Sequence, residues 1–145
     1  LTIVWIGYMM SLKTSATTLV ENARARIEGI ETSEAINMMN DPDVIIVDIR
    51  DIRERQRSGH IPGSFHALRG MIEPCVDPDS PFFKEIFGKS DKKIFHCASG
   101  WRSALTVATL QDMGFQAAHM RDGFSNWTAK GGPTEHDIPN SGETK

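Results

Sequence analysis

The chain has 145 residues, enough for one domain with one real core. It is 39% apolar and 24% charged, an ordinary balance for a globular protein, with a formal net charge of −3. That charge excludes a global pull toward nucleic acid or an anionic membrane surface, so attraction for a small anion has to be local.

Leu1 to Met10 form an apolar stretch. It is too short to span a bilayer, which takes about 20 residues. It also lacks the basic start of a secretory signal. It reads as an upstream extension or cleaved remnant outside the folded domain. Residues 15–28 read as a helix, with Thr18 and Glu21 at capping-box spacing. A short strand is expected near Ile30. Thr32 is the expected cap of a second helix, whose Ala35, Ile36 and Met39 share one face. The boundaries follow as 1–28 for the extension and helix, 29–137 for the main domain and 138–145 for a polar tail.

Asp41-Pro42-Asp43 is turn chemistry. Val44-Ile45-Ile46-Val47 is a continuous β-branched run, the pattern of a strand covered on both faces. Residues 52–57 suit a short polar helix, Gly59-His60-Ile61-Pro62-Gly63 a turn, and residues 65–67 a short strand. Residues 68–92 read as loop with one helix around 81–87. Lys93-Ile94-Phe95-His96 is a second buried strand that ends at Cys97. Residues 102–113 form a helix burying Leu105, Val107, Ala108 and Leu110, stopped by Gly114. Residues 116–120 make a third strand and 124–130 a last helix, and Gly131-Gly132-Pro133 ends the ordered part. Strands alternating with helices predict an α/β fold of three layers, a mainly parallel sheet with helices on both faces.

Ligands of open α/β sheets bind beyond the carboxyl ends of the strands, and Cys97 sits at such an end. Ala98-Ser99-Gly100-Trp101 then turns the chain into a helix beginning near Arg102. Backbone N–H groups after Cys97 can converge as an anion-binding nest, the helix start adds its positive end, and Arg102 adds a fixed charge with a bidentate fork. Together they favour a thiolate. A free thiol of pKa ~8.5 is only slightly ionised at pH 7, and a depression of about two units would reverse that. Cys97 is therefore the candidate nucleophile. Ala98, Ser99, Gly100, Trp101 and Arg102 are the candidate substrate-binding residues.

Other residues carry less. His96 precedes Cys97 on a strand, so the two side chains point to opposite faces, and His96 reads as a structural histidine rather than a base. His60, His66, His119 and His136 are scattered, which gives no metal site. Cys75 reads as a thiol of a Pro- and Asp-rich loop, with a resolving role toward Cys97 as the alternative. Two cysteines far apart give no disulfide framework, so a reduced thiol in the cytoplasm is expected.

Three motifs in order resemble the rhodanese family. They are Val47-Asp48-Ile49-Arg50 followed by Gly59-His60-Ile61-Pro62-Gly63; the loop from Cys97 through Arg102; and Asp122-Gly123-Phe124 with Trp127 and Gly132-Pro133. The resemblance spans about residues 29–134. It implies a five-stranded parallel sheet, a persulfide on Cys97, and anion binding by the loop amides and Arg102, with no cofactor or metal. The implied activity is sulfurtransfer. A small anionic donor, thiosulfate or a persulfide, would supply the sulfur, and a thiol, a protein acceptor such as a thioredoxin-like carrier, or cyanide would receive it. The segment Phe65-His66-Ala67-Leu68-Arg69-Gly70 resembles one bacterial single-domain group, which puts Arg69 near the site. Two departures stand out: the stretch between Arg50 and Gly59 is one residue longer than in many relatives, and Asp122 stands where a second glycine is usual.

Two rivals use the same scaffold. A phosphatase or arsenate reductase of this fold has five residues between cysteine and arginine, against four between Cys97 and Arg102. A non-catalytic binding module often lacks the cysteine that this chain keeps. Trp101 would sit on the loop's rim, either docking a partner or packing against the loop after Phe65.

Overall fold

The computed structural model describes residues 12–89 and 91–137. The apolar segment Leu1 to Met10 and the tail 138–145 lie outside the described residues. In chain order the elements are α1 (Ala16–Arg26), β1 (Glu28–Ile30), α2 (Thr32–Met38), β2 (Val44–Asp48), α3 (Ile52–Ser58), β3 (Phe65–His66), α4 (Ile72–Val76), β4 (Lys92–His96), α5 (Trp101–Asp112), β5 (Ala118–Met120) and α6 (Gly123–Ala129). Single 3-10 turns stand at Arg69–Met71 and Glu85–Gly88. The five strands form one parallel sheet in the order β1-β5-β4-β2-β3.

The β-branched run forms a central strand because both its faces are covered. Val47, Phe95 and Cys97 pack on one face with Val107 and Leu110 of α5 and with Cys75 and Val76 of α4. Ile46, Ile94 and Met120 pack on the other face with Ala35 of α2 and with Phe124 and Trp127 of α6. The period-2 alternation thus sends neighbouring residues of β4 into different layers. A third cluster joins Val20 and Ala23 of α1 to Ala104 and Ala108 of α5. The boundary placed at 28/29 therefore divides elements that share packing.

Several local expectations are corrected. The cap of α1 is Ser15, whose Oγ accepts the Thr18 N–H at 3.1 Å, in place of the Thr18–Glu21 pair. The cap of α2 is Glu31, in a capping box with Glu34, while Thr32 starts the helix and its Oγ1 donates to Asn126 Oδ1 of α6 at 2.5 Å. The expected helix at 81–87 is only the 3-10 turn Glu85–Gly88. A helix instead forms at Ile72–Val76. Its Pro74 sits in the first turn, where the missing N–H has no helical partner to lose. Cys75 therefore lies buried on a short helix, not in a loop. The chain also stays packed past Pro133, because His60 and Glu135 exchange backbone hydrogen bonds at 2.8 and 2.9 Å. Among the described residues no helix is long and apolar enough to cross a membrane.

Candidate active site

The carboxyl ends of β2, β3, β4 and β5 lead into the segments that meet around Cys97. The exit of β2 is locked to its neighbours: Ile49 N–H donates to His96 O, and Arg69 N–H to Ile49 O. After β4 the chain passes through Ala98 and Ser99 to Gly100, which caps α5 at φ +96°. A Cβ there would lie 2.1 Å from Arg121 O, so only glycine fits both the turn and the space.

Amides are brought to the sulfur by what happens to the carbonyls. Phe124 N–H, at the start of α6, donates to Cys97 O at 2.8 Å, and Ser125 N–H donates to Ala98 O at 3.0 Å. With those carbonyls turned toward α6, the N–H groups turn the other way. Gly100 N–H reaches Cys97 Sγ at 3.1 Å and Ser103 N–H reaches it at 3.4 Å. The N–H groups of Ala98, Ser99, Trp101 and Arg102 have no hydrogen-bond partner among the described residues. Donors around a buried sulfur, with further unpaired donors beside it, form a site for a concentrated negative charge. Cys97 is 1% exposed.

Arg102 does not offer a free fork. Its Nη1 and Nη2 donate to Glu54 Oε2 and Oε1 at 2.8 and 2.9 Å. Glu54 Oε2 also accepts the Asp51 N–H at 3.0 Å and so closes the capping box of α3. The Arg102 hydrogen bonds, foremost, hold the Glu54 carboxyl below its ordinary range against the opposing effect of burial. Sequence reasoning missed Glu54, although Asp51-x-x-Glu54 is a capping-box signature. It gave the side chains of Ser103, which follows Arg102 in the loop pattern, and of His119 no role at the sulfur. Ser103 Oγ lies 3.6 Å from Cys97 Sγ and 3.0 Å from His119 Nδ1, with all three residues buried. A hydroxyl on the apolar stripe of α5 was the available signal.

The other singled-out residues make no hydrogen bond to the Cys97 sulfur among the described residues. Arg69 stands in the 3-10 turn after β3 with an exposed side chain that makes no hydrogen bond or ion pair among the described residues. Trp101 opens α5 and is 45% exposed. His96 lies in the layer opposite Cys97, stacked on Phe124, with its Nδ1 3.1 Å from Cys97 O. Burial pushes its pKa down, more than Asp48 raises it, so the ring is neutral and Nδ1–H donates to that carbonyl. Cys75 and Cys97 are both free thiols, and burial pushes the Cys75 thiol up, which leaves it unreactive. Among the described residues no group of three or more His, Cys, Asp or Glu could hold a metal ion. A pocket of about 730 Å³ lies at the other end of the sheet, between the starts of β4 and β5. Its Lys92 is paired with Glu28 at 2.8 Å.

Known proteins are similar to this chain in sequence and fold. A protein of unknown function from Rhodopseudomonas palustris, described as a possible tyrosine phosphatase, is 44% identical; the match covers 87% of this chain and 98% of that one, with a TM-score of 0.83. A rhodanese-like domain protein from Staphylococcus aureus is 26% identical over 77% of this chain and all of its own length (100%), with a TM-score of 0.63. The thiosulfate sulfurtransferase/rhodanese-like domain-containing protein 3 of Mus musculus is 28% identical over 106 residues, 69% of this chain and 68% of that protein. Residues 31–130 match the rhodanese-like domain family, and with the five-stranded parallel sheet and the cysteine loop at its carboxyl edge the chain belongs to that family.

Proposed function

We propose that the chain is a sulfurtransferase that carries one sulfane sulfur on Cys97. The observation behind this reading is the focus of the Gly100 and Ser103 amides on Cys97 Sγ, with only four residues between Cys97 and Arg102. The Cys97 thiolate attacks the outer sulfur of thiosulfate or of a persulfide. A new S–S bond forms, the donor's S–S bond breaks, and sulfite or a thiolate leaves with the electron pair. The charge then lies on the outer sulfur, within reach of the unpaired loop amides. An acceptor thiolate, or cyanide in the test tube, attacks that outer sulfur and releases the Cys97 thiolate. The steps balance without metal, cofactor or oxidant.

Candidate acceptors are small thiols or a protein such as a thioredoxin-like persulfide carrier. Exposed Ile52, Leu68 and Trp101 follow β2, β3 and β4, an apolar rim that a protein acceptor could cover. The working thiol suits a reducing compartment such as the cytoplasm.

A phosphatase reading is favoured by one observation, the description of the 44% identical Rhodopseudomonas palustris protein. Loop size weighs against it. Phosphate needs three oxygens to meet donors while phosphorus stands within attack distance of sulfur, and a misplacement of about 1 Å can cost roughly a hundredfold.

Intact mass decides. Thiosulfate is expected to add the mass of one sulfur atom, dithiothreitol to remove it, and Cys97→Ser to abolish the gain. Aryl phosphate hydrolysis by the native chain that disappears in Cys97→Ser, with no sulfur gained from any donor, would overturn the reading.

A further inference from the structure

Two buried polar side chains, those of Ser103 and His119, stand behind the Cys97 sulfur, and the sulfur chemistry above uses neither side chain. Ser103 Oγ is 3.6 Å from Cys97 Sγ, 3.4 Å from Gly100 O and 3.0 Å from His119 Nδ1. His119 lies on β5 in register with Phe95 of β4, two residues before Cys97, and so on the same face. A hydroxyl has one hydrogen to give, and three acceptors compete for this one. The tautomer of His119 selects among them. If Nδ1 carries the hydrogen, the ring donates to Ser103 Oγ, and the Ser103 hydrogen can turn to the sulfur. If Nε2 carries it, Nδ1 accepts the Ser103 hydrogen and the sulfur loses a donor.

The charged groups facing this array are Arg24 of α1, Arg121 and Asp122 after β5, and Arg102 with its partner Glu54. Burial first, then Arg24 and Arg121, push His119 down to about 4, against the pull of Asp122. Through the neutral range the ring is therefore uncharged, and only its tautomer varies.

We propose that His119 is a positioning residue for the Cys97 thiolate: its Nδ1–H donates to Ser103 Oγ and so aims the Ser103 hydroxyl at the sulfur as a third donor. The role in turnover rests on the sulfurtransferase reading. While Sγ carries the charge, a charge-assisted hydrogen bond from Ser103 is the strongest of the three choices. Once Sγ bonds to the transferred sulfur, the charge moves outward, Sγ becomes a poor acceptor, and the Ser103 hydrogen returns to Gly100 O or His119. When the acceptor takes the sulfur, the electron pair and the charge return to Sγ and the hydroxyl swings back. The array thus stabilises the leaving thiolate of the second half-reaction, and no proton is consumed.

Two measurements test this without any sulfur donor. The first is nitrogen-15 NMR of the histidine-labelled native chain at a pH where Cys97 is fully thiolate. His119 is expected as the Nδ1–H tautomer, and the Nε2–H tautomer there overturns the proposal. The second is the pH profile of Cys97 alkylation by iodoacetamide, read by peptide mass spectrometry. His119→Leu is expected to raise the midpoint by about one unit, the effect of losing one hydrogen bond to a charged group. His119→Asn, whose amide nitrogen can stand near the Nδ1 position, is expected to restore most of it. Ser103→Ala is expected to shift the midpoint as His119→Leu does, and the double variant no further. Additive shifts, or a His119→Leu midpoint equal to the native one, overturn the proposal. If His119→Leu does not fold, the tautomer in the native chain decides. A native chain that never gains sulfur would sink the sulfurtransferase reading and leave both tests of His119 valid.

Discussion

Both outer nitrogens of Arg102 donate to one carboxylate, and that carboxylate also caps α3. Arg102 therefore acts first as a strut from the start of α5 to α3, and its charge reaches Cys97 from a fixed position. Arg102→Ala is expected to lower kcat/KM for thiosulfate about ten- to a hundredfold, the equivalent of one charged hydrogen bond of roughly 1.5–3 kcal/mol. The alkylation midpoint of Cys97 is expected to rise with it. Glu54→Gln keeps a capping oxygen, loses a negative charge near the anion site and frees the fork. It is expected to lower kcat less than about tenfold while the KM for thiosulfate stays level or falls, because the partly exposed pair contributes only about 1 kcal/mol. A KM that rises in Glu54→Gln would show that Glu54 does not act by holding the arginine. Because the Glu54 pKa is depressed, the pair persists above the unfolded carboxyl value of ~4.3 and is lost as pH falls through the lower folded value.

At the scale of elements, the loop between β4 and α5 owes its shape to the start of α6. Gly123 has φ +75°, and a Cβ on it would lie 2.3 Å from Ala98 O. That close approach lets Phe124 N–H and Ser125 N–H reach the loop carbonyls. Gly123→Ala is expected to push the loop off α6 and cut sulfur loading from thiosulfate by about a hundredfold, with a stability loss of about 1–3 kcal/mol. Intact mass and urea unfolding read the two effects, and undiminished loading in the variant would sink this account of the loop. The motif Asp122-Gly123-Phe124 was legible in the sequence, but its task was not, because it depends on α6 meeting a loop over 20 residues earlier. The strands were legible for a simpler reason: Val44 to Val47 and Ile94-Phe95 are apolar on consecutive residues, as double-sided burial demands. Ile72–Val76 was not, since five residues with a proline show no helical period. The partners of the sulfur fell between these cases. Period 2 puts Phe95 and Cys97 on one face, but only the register of β5 against β4 brings His119 to that face, and register is a property of the folded sheet.

Across the whole molecule, the sheet separates a buried ion cluster from the sulfur while making them share a wall. Asp48, at the end of β2, is fully buried. It accepts Arg50 Nε and Nη2 at 2.9 and 2.8 Å and Arg55 Nη1 at 3.2 Å. The Arg50 guanidinium lies 4.2 Å over the Phe124 ring, and the Phe124 amide holds the Cys97 carbonyl. Burial alone would raise the Asp48 pKa, but the Arg50 hydrogen bonds and the charges around it outweigh burial and hold the carboxyl well below its usual range. Asp48→Asn leaves Arg50 buried and short of a counter-charge. The expected cost is about 3–5 kcal/mol, a fall in Tm of roughly 10 °C or more for a chain of this size. The pH dependence has a definite sign. A depressed carboxyl adds stability that is complete above the unfolded value of ~3.9 and is lost as pH falls toward the folded value. The stability gap between the native chain and Asp48→Asn is therefore expected to be level from pH 7 to pH 5. Between pH 5 and pH 3 it should narrow by about 1 kcal/mol, as protons bind the unfolded native chain at Asp48. Urea midpoints at the three pH values measure the gap. A gap that stays constant down to pH 3 would mean that Asp48 is not held ionised by the arginines, and that the shared wall behind Cys97 rests on packing alone.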